Sequence, residues 1–167
     1  MMLRFLNDFL DKDRAFNYLE FGICFGTTFG MVMSNFTNAN GFGLEIDPNR
    51  FEVCKWIVDC MGKAIGFQDR VTLKCGGILE QKLEPNSIDV VFMDTNHTAL
   101  DDYDFIMHII NSGALREDFL FVGDDPTHSG TDESRKQFID RHSDQYHIVT
   151  RVDMNLWWFK EHKYVQS

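Results

Sequence analysis

Short apolar runs of strand length alternate along this chain with stretches whose apolar residues recur at helical spacing. That alternation is the pattern of a mostly parallel sheet covered by helices on both faces. Strands are predicted at residues 18–22, 42–46, 71–74, 88–93, 119–123, 146–152 and 156–159, and helices at 3–10, 27–34, 48–61, 100–111 and 131–142. Local chemistry supports several limits: Pro48 suits a first helical turn, Gly62 and Gly113 suit C-terminal caps, and Thr131 with Asp132 and Glu133 suits a helix start. Only residues 153–155 separate the last two strands, too few for a parallel crossover, so an antiparallel hairpin is expected. Alternation within it sends one of Trp157 and Trp158 into the core and the other outward. The predicted fold is α/β, a doubly wound, Rossmann-like, mostly parallel seven-stranded sheet ending in that hairpin.

With 167 residues, no internal repeat and no linker-like stretch, residues 1–167 are expected to form a single domain. An apolar share of 44% with 16 Phe gives it a real core and excludes a disordered chain. Cys24, Cys54, Cys60 and Cys75 show no zinc-ligand spacing and fall in apolar surroundings, which points to free thiols in a reducing, cytoplasmic setting. Neither a signal peptide nor an apolar stretch of membrane-spanning length is visible, so no membrane partner is expected. The formal net charge of -10 would repel a phosphate backbone, which argues against a nucleic-acid partner.

The first strand runs into Glu20-Phe21-Gly22-Ile23-Cys24-Phe25-Gly26, then Thr27-Thr28 at the head of a helix. Two glycines there let the backbone approach a ligand and turn helix N–H groups toward it, although a tight turn and close helix packing would use the same residues. About twenty residues further on, the second strand ends in Glu45-Ile46-Asp47-Pro48, where this fold places a carboxylate on a ribose diol. Asp47 is the rival for that role, but its place before Pro48 also suits a helix cap. A nicotinamide site needs GxGxxG, and Cys24 stands where the middle glycine would be.

On these residues the chain resembles the class I S-adenosylmethionine-dependent methyltransferases, whose first motif is (E/D)xGxxxG and whose second ends in a ribose-binding acid. The resemblance implies that Glu20, Gly22, Gly26 and Thr27 line the methionine end of S-adenosylmethionine and that Glu45 holds its ribose. Gly77 and Ile78, after the third strand, would lie at the adenine, and Asp94 is a further cofactor-binding candidate.

The fourth strand ends in Asp94-Thr95-Asn96-His97-Thr98 and the fifth in Asp124-Asp125-Pro126. Neighbouring strands lie about 4.8 Å apart, so three carboxylates would crowd one rim and raise one another's pKa unless a positive group joins them. A hard divalent cation such as Mg2+ is the simplest remedy, with Asp94, Asp124 and Asp125 as its oxygen ligands. For Asp125 alone, a turn before Pro126 explains the residue equally well. Here the resemblance narrows to the metal-dependent O-methyltransferases, in their small-molecule and sugar branch. It implies catalytic roles for Asp94 and His97, the histidine serving as base beside a small-molecule or sugar hydroxyl. His128, on a loop, is a second candidate base for which an ordinary surface position is the favoured reading. His108 reads as structural, and His142, His147 and His162 have no evident partner in the sequence. A short stretch before the first strand leaves the acceptor side open, and a homodimer could complete it. Two rival functions stand beside this one: a cofactor-binding scaffold without turnover, and a metal-independent N-methyltransferase, which needs no acidic pair.

Overall fold

The computed structural model describes residues 2–164, and the chain divides into two compact units, Met1–Gln81 and Lys82–Ser167. The first unit contains α1 (Met2–Phe9), β1 (Asn17–Phe21), α2 (Thr27–Asn35), β2 (Asn40–Glu45), α3 (Pro48–Ile65) and β3 (Val71–Cys75). Its strands are parallel, with β2 between β1 and β3. Helix α1 buries Met2, Phe5 and Leu6, the i, i+3, i+4 face its sequence offers. Helix α2 buries Phe29, Val32 and Met33. Two strand glycines let Phe29 come close: a Cβ at Gly41 would lie 2.6 Å from its Cζ, and one at Gly43 only 2.8 Å from Leu73 Cδ2. Arg70 donates to the carbonyls of Phe36 (3.2 Å) and Met33 (3.1 Å), satisfying acceptors around the C-terminal end of α2.

The second unit contains β4 (Ile88–Met93), α4 (Ala99–Asn111), β5 (Leu115–Asp124), α5 (Ser129–His142), β6 (Tyr146–Arg151) and β7 (Leu156–Glu161). Strands β4 and β5 are parallel, while β7 pairs antiparallel with both β5 and β6. The expected terminal hairpin is therefore present, and it turns at Asn155 in the left-handed region (φ 51). An aromatic core holds this unit: Phe159 lies 4.7 Å from Phe121 and 4.6 Å from Phe138 between ring centroids, tying α5 to the strands. The whole is the predicted α/β architecture, a seven-stranded, mostly parallel mixed sheet. No helix among the described residues is long and apolar enough to cross a membrane.

Several local expectations change. Gly62 does not end α3; the helix continues to Ile65 and is capped by Gly66 at φ 90. Gly62 instead serves packing, since a Cβ there would lie 2.9 Å from Gln68 Cγ. Strand β5 begins at Leu115, where Arg116 to Asp118 are exposed and Arg116 pairs with Asp89 on β4 at 3.1 Å; a polar start hid it from a reading based on apolar runs. Helix α5 begins two residues before Thr131, with His128 at its N-cap. Trp157 and Trp158 do point to opposite faces, yet both are buried. Strand β7 is paired along both edges, and Trp157 and Trp158 are covered on its two faces.

Candidate active site

In the first unit, the chain leaves β1 through a turn in which Gly22 (φ 83), Cys24 (φ 50) and Gly26 (φ 72) all take left-handed backbone. Hydrogen bonds from Gly22 N and Ile23 N to Leu44 O hold this turn against the end of β2. Gly26 is also a packing glycine, because a Cβ there would meet Val58 Cγ2 at 2.7 Å and Cys54 Sγ at 2.8 Å. The tight turn and the close helix packing, the alternative to ligand approach at these glycines, are both present at Gly26. Helix α2 then starts at Thr27 with no side-chain cap and no acid in its first turn, so its leading N–H groups favour an anion.

Glu45 closes β2 with only 3% of its surface exposed. Its two carboxylate oxygens accept from the backbone N–H groups of Cys24 (2.8 Å) and Asp47 (2.9 Å). Burying this charge is tolerable because the donors are fixed backbone groups. Asp47 does something else: its side chain accepts from Asn49 N and Arg50 N as the N-cap of α3. Glu20 is buried as well and accepts from the Tyr18 hydroxyl at 2.6 Å. Below Gly26, burial pushes the Cys54 thiol up to about 12, with the Glu20 and Glu45 charges adding to it, so this cysteine is an inert core residue. Gly77 leads into the short turn at Ile78, which is buried. Next to them stands Ile46, 73% exposed, its Cδ1 3.6 Å from where a Gly77 Cβ would be. The sequence reading passed over Ile46; an apolar residue between two acids at a strand end was its only signal.

In the second unit, register places Met93 beside Gly123, so Asp94 and Asp124 leave the ends of β4 and β5 side by side. Burial, and then the neighbouring Asp125, push the Asp124 carboxyl above its ordinary value, against the opposing hydrogen bond from Asp125 N. His97 (φ 57) and Asp125 (φ 47) both hold left-handed backbone although neither is glycine, strain of a kind concentrated at functional sites. His97 Nε2 lies 3.7 Å from Asp94 Oδ1 and 3.4 Å from Asp125 Oδ2. Asp125 is in turn held by Asn155, which accepts its N–H at 3.2 Å and donates its side-chain amide to Oδ1. His128 is exposed, with its ring centroid 5.1 Å from that of His97.

The metal set expected from the sequence, Asp94, Asp124 and Asp125 around Mg2+, does not fit this arrangement. Among the described residues no three His, Cys, Asp or Glu side chains are grouped to hold a metal ion. The imidazole of His97 stands between Asp94 and Asp125, where a cation would be needed, and Asn155 already holds one oxygen of Asp125.

Near His97 lie Thr131, expected only as a helix start, and Asp102 and Gly130, to which the sequence reading assigned no role. Thr131 Oγ1 lies 3.1 Å from His97 Nδ1 and 3.5 Å from Asp102 Oδ2. Asp102 is fully buried and also accepts from the Thr95 hydroxyl. Gly130 lets the start of α5 close on the His97 backbone, since a Cβ there would overlap the His97 carbonyl oxygen. The other histidines have structural partners: His142 Nε2 meets the Tyr103 hydroxyl at 3.3 Å, His162 Nε2 meets Ser143 O at 2.9 Å, and His147 lies against Trp158.

No family model matches the sequence, and no curated protein does either. Solved structures do. A SAM dependent methyltransferase from Aquifex aeolicus matches at TM-score 0.69 and 12% identity, over 94% of this chain and 86% of that one. The SAH-bound methyltransferase PaMTH1 of Podospora anserina matches at 0.67 and 16%, over 87% and 71%. The StiE O-MT matches at 0.68 and 19%, over 89% of this chain but 52% of that one, and this chain spans about half the length of several such matches. At these identities the likeness concerns the fold: the chain has the Rossmann-like α/β fold of SAM-dependent methyltransferases.

Proposed function

We propose that this chain is an S-adenosylmethionine-dependent O-methyltransferase, acting on a hydroxyl of a small molecule or a sugar, with its 167 residues working as one domain. The observation that carries the reading is His97: a strained, mostly buried histidine at the end of a sheet strand, its Nε2 directed at Asp94 and Asp125. An imidazole positioned beside two carboxylates can take up a proton and share the resulting charge with them.

The first unit's residues fit the cofactor. The N–H groups at the start of α2 suit the amino-acid carboxylate, and the Gly22 to Gly26 turn allows close backbone approach. Glu45 keeps acceptor capacity for ribose hydroxyls beyond its two backbone bonds. Exposed Ile46 beside Gly77 and Ile78 offers an apolar face for adenine. When bound, S-adenosylmethionine supplies an electrophilic methyl group for an oxygen nucleophile. His97 accepts the acceptor's hydroxyl proton at Nε2, and Asp94 and Asp125 stabilise the imidazolium that results. No step is drawn through a metal, because the acids do not form a donor set.

Two measurements test this reading. Calorimetry with S-adenosylhomocysteine should show binding and a raised Tm; a response to NADH in its place would overturn the cofactor. Methyl transfer to a panel of catechols and sugar hydroxyls should survive EDTA. Loss of transfer in EDTA, restored by Mg2+, would return Asp94, Asp124 and Asp125 to metal ligation, and tight cofactor binding without transfer to any acceptor would favour a scaffold.

A further inference from the structure

The environment of His97 extends inward as well as toward the rim. Its Nδ1 faces Thr131 Oγ1 at 3.1 Å, and the same hydroxyl reaches Asp102 Oδ2 at 3.5 Å. A threonine hydroxyl carries one proton. An ionised carboxylate can only accept, and Asp102 already takes the Thr95 hydroxyl proton at its other oxygen. If Thr131 donates to Asp102, its oxygen is left to accept from His97, so Nδ1 must carry the ring proton; the Nε2 lone pair then faces Asp94 Oδ1 at 3.7 Å and Asp125 Oδ2 at 3.4 Å, and these carboxylates hold Nε2 only once it has gained a proton.

We propose that Asp102 and Thr131 are positioning residues that fix His97 in the Nδ1–H tautomer, so that Nε2 is the proton-accepting atom. This rests on the reading of His97 as base. A buried carboxylate is a costly way to build a helix turn, and Asp102 is fully buried at the start of α4, 3.5 Å from the hydroxyl it directs. Gly130 is part of the same device: by admitting the His97 carbonyl it lets α5 bring Thr131 up to the ring. Thr131 and Asp102 come from different helices, so the relay ties the His97 loop to both α4 and α5.

The test is nitrogen-15 NMR of the imidazole rings at slightly alkaline pH, with the His97→Ala spectrum assigning the His97 signals. The unmodified protein should show a protonated Nδ1 and an unprotonated Nε2. Thr131→Val, which keeps shape and removes the hydroxyl, should release the ring to a mixture rich in the Nε2–H form, and Thr131→Ser should restore the parent spectrum. In Asp102→Asn, an amide donating to Thr131 would make that hydroxyl donate to Nδ1, so the Nε2–H form should dominate. A parent protein with mainly Nε2–H, or a Thr131→Val spectrum unchanged from the parent, overturns the proposal. A purely structural role for Asp102 and Thr131 would lower Tm without moving the tautomer. Methyl transfer is measured separately: Thr131→Val should forfeit part of the about 10²–10⁴-fold that a positioned base is worth, at unchanged S-adenosylhomocysteine affinity. If His97→Ala retains full transfer, the base reading fails while the tautomer result stands.

Discussion

The two units each end their strands in carboxylates, and they handle them in opposite ways. In the first unit, Glu20 and Glu45 are almost wholly buried; Glu20 is met by the Tyr18 hydroxyl, Glu45 by backbone N–H groups. In the second, Asp94, Asp124 and Asp125 keep partial exposure, Asp94 and Asp125 flank the ionisable His97 ring, and the loops after β4 and β5 each hold a left-handed non-glycine residue. Fixed dipoles make a rigid acceptor, as needed to grip a hydroxyl-bearing ligand. A histidine among carboxylates makes a group whose charge can change, as needed to move a proton.

The sharpest way to break this comparison is His97→Ala. Transfer should fall about 10²–10⁴-fold while S-adenosylhomocysteine affinity, assigned to the first unit, stays within a factor of about two. Single-turnover rates and calorimetry on the same preparation check both halves, and equal losses in rate and affinity would erase the contrast. Glu45→Ala should do the converse. It leaves the N–H groups of Cys24 and Asp47 without their acceptor, each worth about 1–3 kcal/mol if unsatisfied, and it removes the acid proposed to bind the ribose. Urea unfolding and cofactor calorimetry should both respond, and a variant with full affinity would move the ribose role elsewhere.

Smaller is Asp47→Ala, which removes an N-cap and should cost about 1 kcal/mol of stability with little change in cofactor affinity. An affinity loss matching that of Glu45→Ala would mean that Asp47 had been misread as a cap. Smallest is a pH effect in the second unit. The folded pKa values of Asp102 and Asp124 are both raised above 3.8 by burial. The native state therefore holds more protons than the unfolded chain between 3.8 and the raised values, so these groups make stability fall as pH rises through that window. In Asp124→Asn that share is absent: its stability relative to the parent should climb with pH across the window and level off above it. A flat difference across a urea series would show that Asp124 ionises normally.

Much of this was readable in the chain. Alternating apolar runs and helical faces fixed the order of elements, and the three-residue link before Leu156 required the antiparallel hairpin. Asp47 could be read as a cap because Pro48 marks where the helix begins, and it is one. Aspartates at the ends of two strands, with His97 three residues on, marked the second rim. Hydrophobic periodicity and turn chemistry are local properties, and sequence records them directly.

What tertiary structure alone decided was which groups meet. A rim of three aspartates in sequence suggested a shared cation, and nothing in the order of residues says that the His97 ring comes to lie between Asp94 and Asp125. Thr131 lies far from His97 along the chain and Asp102 on the helix that follows it, with residue types ordinary for a helix start, and Thr131 links the ring to Asp102 only when α5 docks on the His97 loop. Gly62 looked like a helix end and proved to be a packing glycine, because the side chain it must admit, Gln68, comes from beyond the turn. Sequence sets what each residue can donate, accept or bury; the partner at the other end of a hydrogen bond is chosen by how the helices pack.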